Sequence, residues 1–139
     1  MTYLVATDGT TEGTTAVEYC ARHAAAMDET VEIVHVLTPQ TRLERGEFVL
    51  DDNNTAVGEG EEILAGARDT AEAVADGVTV ETTLLAGMPA TEITSHAEQT
   101  SVDAIYVGHR TLSADHQRVV GSVAKTVLEK ATVPVTVVR

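Results

Sequence analysis

Gly108, His109, Arg110 and Thr111, nine further residues, and then Gly121 and Ser122 form the stretch whose residue types best suit phosphate chemistry. Glycine lets a backbone approach a ligand closely, and a Gly-Ser pair at the start of a helix offers bare N–H groups at the positive end of the helix dipole. Arg110 and Arg118 place two of the chain's nine basic side chains in the same segment. On residue types alone two readings stand side by side, an anion site or a pair of turns with a helix cap. Asp8 carries the same ambiguity. A carboxylate at the end of an apolar run can orient a ribose hydroxyl or a Mg²⁺ ion that arrives with a triphosphate, or it can close its own turn through Thr10.

Other candidates carry less chemistry. Gly9 to Thr14 is shorter than a P-loop and lacks the lysine that would meet the outer phosphates. Gly58-Glu59-Gly60 reads as loop. His23, His35, His96, His109 and His116 show no metal-ligand spacing, so His35 reads as core-facing or edge, and His109 and His116, which flank the glycine-rich segment, read as solvated loop positions in preference to ligand contacts. Cys20 stands alone, which excludes an intramolecular disulfide, and reads as an inert core residue of a helix.

These residues need elements to hold them. Apolar runs predict strands over Tyr3 to Thr7, Val31 to Leu37, Val78 to Leu85, Ala104 to Val107 and Val133 to Val138. Between them, helical spacing turns Ala16, Val17, Cys20, Ala24 and Met27 inward from a helix capped by Thr11. The same spacing turns Ile63, Ala67, Ala71 and Val74 inward from a helix ended by Asp76-Gly77. Pro89 opens a third helix with Ala90, Ile93 and Ala97 inward, and Val123, Val127 and Leu128 mark a fourth. Thr38 to Gly60 has no clean period and reads as one long loop. Alternation of strands and helices predicts right-handed crossovers and a mainly parallel sheet covered on both faces. Ligands then bind beyond the carboxyl ends of the strands, which points to the loops starting at Asp8, Thr38, Gly87 and Gly108.

At 139 residues the chain suits one domain over 1–139, and with 3% aromatics its core must be built from Val, Leu, Ile and Ala. A formal charge of −13 repels polyanions, so nucleic acid and anionic membrane are excluded as partners. The same acidity suits a salt-adapted cytoplasm, where screening relieves self-repulsion. No apolar run is long enough for a membrane span and no signal-peptide layout opens the chain, so a cytoplasmic location is expected.

Residues 108–122 resemble the G-x2-G-x9-G-[S/T] motif of ATP-binding universal stress proteins. The resemblance extends over nearly the whole chain. Tyr3 to Thr10 is similar to that family's opening strand and Asp-Gly-Ser turn, His35-Val36 to its second-strand end and Gly87-Met88-Pro89-Ala90 to its G-x-P-A segment. Gly121 to Lys125, through Pro134-Val135, is similar to its closing helix and strand. The resemblance implies a Rossmann-like α/β fold, an open sheet of five parallel strands in the order 3-2-1-4-5, and homodimers formed through the last strand. It also implies an adenine-nucleotide site in which the backbone of Ala6 and Val36, Thr7 beside them, and the Asp8 side chain hold adenine and ribose or a metal. Gly108, Arg110, Gly121, Ser122 and Val123 would line ribose and phosphates. Thr111 departs from the motif, standing where the family has its second glycine, and a β-branched residue there adds bulk beside the phosphates.

Three functions follow as expectations. The first is a stress-response or regulatory dimer that binds ATP or a related nucleotide with Mg²⁺. The second is an interaction dimer of the same fold that has lost the nucleotide, and the third a slow ATP hydrolase. A response-regulator receiver is excluded, since the third strand ends at Leu85-Ala86-Gly87 without an aspartate and the fifth ends the chain without the required lysine loop.

Overall fold

The computed structural model describes residues 1–38, 41–44, 47–50, 53–109 and 121–139. In chain order the elements are β1 (Thr2–Ala6), α1 (Thr11–Met27), β2 (Thr30–Leu37), β3 (Thr41–Glu44), β4 (Glu47–Leu50) and α2 (Asn53–Val74). They continue with β5 (Val80–Ala86), α3 (Pro89–Thr100), β6 (Ala104–Gly108), α4 (Ser122–Lys130) and β7 (Val135–Val138). Five strands form one parallel sheet in the order β5-β2-β1-β6-β7, which is the expected 3-2-1-4-5 once the separate antiparallel pair β3-β4 is set aside.

Strand alternation divides the core into two layers, because successive side chains leave opposite faces of a sheet. Val5, Ile33 and Tyr106 pack with Val17, Cys20, Ala24, Leu64 and Ala71 under α1 and α2. Leu4, Val34, Ile105 and Val107 pack with Ile93, Ala97, Ala124 and Val127 under α3 and α4. The small alanines on every inward helix stripe allow close approach and compensate for the scarcity of aromatics.

Several expectations need correction. The stretch read as one loop holds the β3-β4 pair and the first two turns of α2, so Gly58 and Gly60 are helical. Glycine costs about 1 kcal/mol in a helix, and at Gly60 tertiary packing outweighs it. A Cβ there would stand 2.8 Å from Leu84 Cδ1 and 3.2 Å from Leu37 Cδ2, so the missing side chain lets α2 settle onto β2 and β5. The cap of α1 is Thr10, whose hydroxyl accepts from the Gly13 N–H, and not Thr11. Met27 is exposed, because a 17-residue helix of roughly 25 Å overruns a five-residue strand of roughly 17 Å. Leu128 is also half exposed, since Ala124 and Val127 carry the inward stripe of α4. Pro89 does open α3, after Gly87 turns the chain at φ +138° and donates its N–H to Leu37 O at 2.9 Å.

Candidate functional site

The sheet changes direction between β1 and β6. From β1 the chain moves outward through β2 to β5, and it later returns to the other side of β1 as β6 and β7. A crevice opens at such a point beyond the carboxyl ends of the strands, since the loops on either side turn away from one another.

On one side stands the β1–α1 turn. Thr7 N–H continues the ladder to Val34 O at 3.0 Å, and Thr7 Oγ1 accepts from Gly9 N–H at 3.2 Å. Asp8 Oδ1 accepts from both the N–H and the hydroxyl of Thr10, so the carboxylate closes its turn, as one of its two sequence readings held. Gly9 supplies the φ of +81° that the turn requires. Ala6, Thr7 and Asp8 are therefore brought together at one strand end. In register, Ala6 lies opposite Val34, so Val36 stands two residues farther along β2 and overhangs the turn. His35 fastens that overhang, its Nδ1–H donating to Thr7 O at 2.8 Å.

On the other side, β6 ends at Gly108, paired with Val138. The lack of a side chain at Gly108 serves packing within the chain, because a Cβ there would meet the backbone oxygen of Glu12 at 2.7 Å and Gly13 N at 3.2 Å. Gly13 has the matching role. Its Cβ would stand 2.6 Å from Thr7 Oγ1 and 3.0 Å from Asp8 Oδ1. The two glycines thus let the first turn of α1 lie between β1 and β6. His109 is buried, with 5% of its surface exposed, and not the solvated loop residue expected. Its backbone N–H extends the ladder to Val138 O at 2.6 Å, which holds the side chain within the fold.

α4 leads from beyond the end of β6 back to the start of β7, so its N-terminus lies toward the carboxyl end of the sheet. Gly121 is its N-cap at φ −61°, ψ 154°, with no side-chain cap and no acidic residue in the first turn. Lys125 N–H is the first to find a helical acceptor, Gly121 O at 2.9 Å, so the N–H groups of Ser122, Val123 and Ala124 have none within the helix. Gly121 and Ser122 thus stand at a helix start, as the sequence predicted, with Val123 in its first turn. Arg110, Thr111, His116 and Arg118 lie outside the described residues.

The chain's one thiol lies away from these strand ends. Cys20 is fully buried under α1, and burial pushes its thiol well above the ordinary range, so it stays protonated and inert. Among the described residues no group of three or more His, Cys, Asp or Glu side chains is placed to hold a metal by itself. A cleft of about 310 Å³ lies at the opposite end of the sheet, between α3 and the α4–β7 connection, lined by Ala97, Glu98, Val102, Ile105 and Val133, and contains none of these residues. No helix among the described residues is long and apolar enough to cross a membrane.

Sequence reasoning missed His35, Gly13 and the burial of His109. A glycine three residues after a cap, inside a first helical turn, was the available signal for Gly13.

The family model for the universal stress protein family matches residues 1–139. The chain is 37% identical over 92 residues to universal stress protein YxiE of Bacillus subtilis, a stretch covering 66% of this chain and 61% of that relative. Among solved structures it is similar to a universal stress protein from Archaeoglobus fulgidus, with TM-score 0.81, 25% identity, and coverage of 100% of this chain and 98% of the other. A structure of the Archaeoglobus fulgidus protein in complex with dAMP matches with TM-score 0.77 at 23% identity, covering 100% and 98%. A universal stress protein in complex with cAMP matches with TM-score 0.76 at 23% identity, covering 100% and 97%.

Proposed function

Because the chain belongs to the universal stress protein family, we propose that it binds an adenine nucleotide in the crevice between the β1–α1 turn, the end of β2 and the head of α4, and acts as a regulatory dimer. The observation that carries this reading is the head of α4. In a chain of net charge −13, a helix start with a glycine cap, three amide donors lacking helical acceptors and no carboxylate is suited to anionic oxygens. The dAMP and cAMP complexes of similar proteins support the choice of an adenine nucleotide.

In this reading the backbone of Ala6, Thr7 and Val36 meets adenine, Asp8 orients the ribose, and Gly121, Ser122 and Val123 take phosphate oxygens. Gly108 shapes the floor, and Arg110, two residues on in the sequence, adds positive charge. A Mg²⁺ ion would come only with a triphosphate, because Asp8 alone cannot complete its coordination. Any turnover of ATP would be slow, since positioning without an activated water gives little acceleration. Dimers form through β7, an edge strand of the sheet whose outer side can pair with another copy. A second reading, an interaction dimer without nucleotide, draws support from the engagement of Asp8 by Thr10.

Calorimetric titration of the purified chain with AMP and with ATP-Mg²⁺ in molar KCl, after stripping any bound nucleotide, tests the proposal. A Gly121→Asp variant supplies its own carboxylate to the head of α4. It should keep or gain a few tenths of a kcal/mol of stability while losing nucleotide binding. Unchanged affinity in that variant would overturn the site, and a parent chain that binds no nucleotide would leave the second reading.

A further inference from the structure

We propose that His109 reads the phosphate of the bound nucleotide, its Nε2–H donating to a phosphate oxygen at the head of α4; this rests on the nucleotide reading given above. Among the described residues, His109 is the histidine whose buried nitrogen has no partner. His23 Nδ1 lies 2.8 Å from Tyr106 Oη, His35 Nδ1 2.8 Å from Thr7 O, and His96 Nε2 2.9 Å from a Glu32 carboxylate oxygen. His109 is 95% buried by its 5% exposure, and its Nε2 is inaccessible yet makes no hydrogen bond. A buried polar atom without a partner is uncommon in native folds, and a bound group that completes it is one of the few physical explanations.

Strand geometry says where the ring lies. Ile105 and Val107 belong to the layer under α3 and α4, with Ala124 and Val127, while Tyr106 belongs to the layer under α1 and Gly108 abuts the α1 backbone. The His109 N–H bond to Val138 O continues the extended ladder, so alternation places its side chain on the α4 side. It stands one residue past the carboxyl end of β6, the end from which α4 starts.

The chemistry of the neighbours selects the ligand group. The first-turn amides of Ser122, Val123 and Ala124 are donors, and the Nε2–H tautomer of His109 is a fourth donor of the same sense. Four donors with no local carboxylate on α4's first turn call for an acceptor with several oxygens, which is a phosphate and not a sugar or a base. His109 therefore separates phosphorylated nucleotide from free nucleoside.

The test compares AMP with adenosine on the full chain by calorimetry, in the parent, His109→Leu and His109→Gln, with circular dichroism confirming that each is folded. His109→Leu should weaken AMP by about tenfold or more and leave adenosine within about twofold. His109→Gln, whose amide nitrogen falls near the position of Nε2, should keep most of the AMP affinity. In the parent labelled with ¹⁵N-histidine, the His109 Nε2 resonance should move on adding AMP and not on adding adenosine. That readout needs no variant. A Leu variant that matches the parent, or loses AMP and adenosine equally, or a resonance indifferent to AMP, would overturn the role of His109 alone. A parent chain that binds neither ligand would overturn the nucleotide reading, and this role with it.

Discussion

Gly13 packs so tightly against Thr7 that a Cβ on the glycine would stand 2.6 Å from the threonine hydroxyl. The contact seats α1 on the end of β1 and thereby sets the position of Asp8, whose oxygen would be 3.0 Å from the same Cβ.

Gly13→Ala is therefore expected to destabilise the fold by about 1–3 kcal/mol, the usual cost of overpacking, even though alanine is the better helix former by about 1 kcal/mol. Gly66→Ala is the control. It lies inside α2 with nothing within 4 Å of its Cβ position, so it should gain about 0.5–1 kcal/mol. Urea denaturation of the two variants should show midpoints moving in opposite directions.

Stability should fall in alkali for a specific reason. Burial pushes the Cys20 thiol up, and burial, with Cys20 and Tyr3 nearby, pushes the Tyr106 hydroxyl up to about 12 from an ordinary value of 10.0. The unfolded chain then releases these protons at lower pH than the folded chain, so above pH 9 the folded state holds more protons and loses stability as pH rises. The contribution is constant below about pH 7.5, where the unfolded thiol too is protonated. Denaturation midpoints across this range should fall in the parent and fall less steeply in a Cys20→Ala/Tyr106→Phe variant.

Glu32 is a buried carboxylate on β2 whose Oε2 accepts from Thr83 Oγ1 at 3.0 Å and lies 2.9 Å from His96 Nε2 on α3. It ties α3 to the sheet through a polar contact within an otherwise apolar layer. Glu32→Gln is expected to cost about 1–3 kcal/mol, since the amide oxygen can still accept from Thr83 and His96 but lacks the charge that strengthens both bonds, and the second oxygen becomes an NH₂ donor in a buried layer. A double-mutant cycle with His96→Ala should return a coupling of about 1 kcal/mol. Simple additivity would remove the pairing from the account of how α3 is held.

The charge of −13 predicts a salt response. Screening shortens the reach of self-repulsion from about 10 Å at 0.1 M salt to about 3 Å at 1 M. The thermal midpoint should rise with KCl and complete most of its rise by about 1 M, whereas a salting-out effect on apolar surface would keep growing beyond that. Full stability in dilute buffer, with no rise on adding KCl, would count against electrostatic self-repulsion as a significant cost.

Periodicity in the residues themselves determined the five-stranded sheet, its helices and the end at which a ligand would lie. Apolar runs such as Tyr3 to Thr7 and inward stripes such as Ile93 and Ala97 are local patterns, and burial enforces them wherever they occur. The glycine and serine at 121 and 122 were legible for the same reason, since a helix start exposes its donors whatever surrounds it. Tertiary structure alone decided what the other glycines and the histidines do. Gly60 and Gly108 are placed where another element's atoms would collide with a Cβ, and Gly13 where the β1–α1 turn folds back on its own helix, and such collisions depend on how the chain packs in three dimensions. His35 found Thr7, and His109 was buried, because hydrogen bonding and burial are properties of pairs and layers that a single position does not carry.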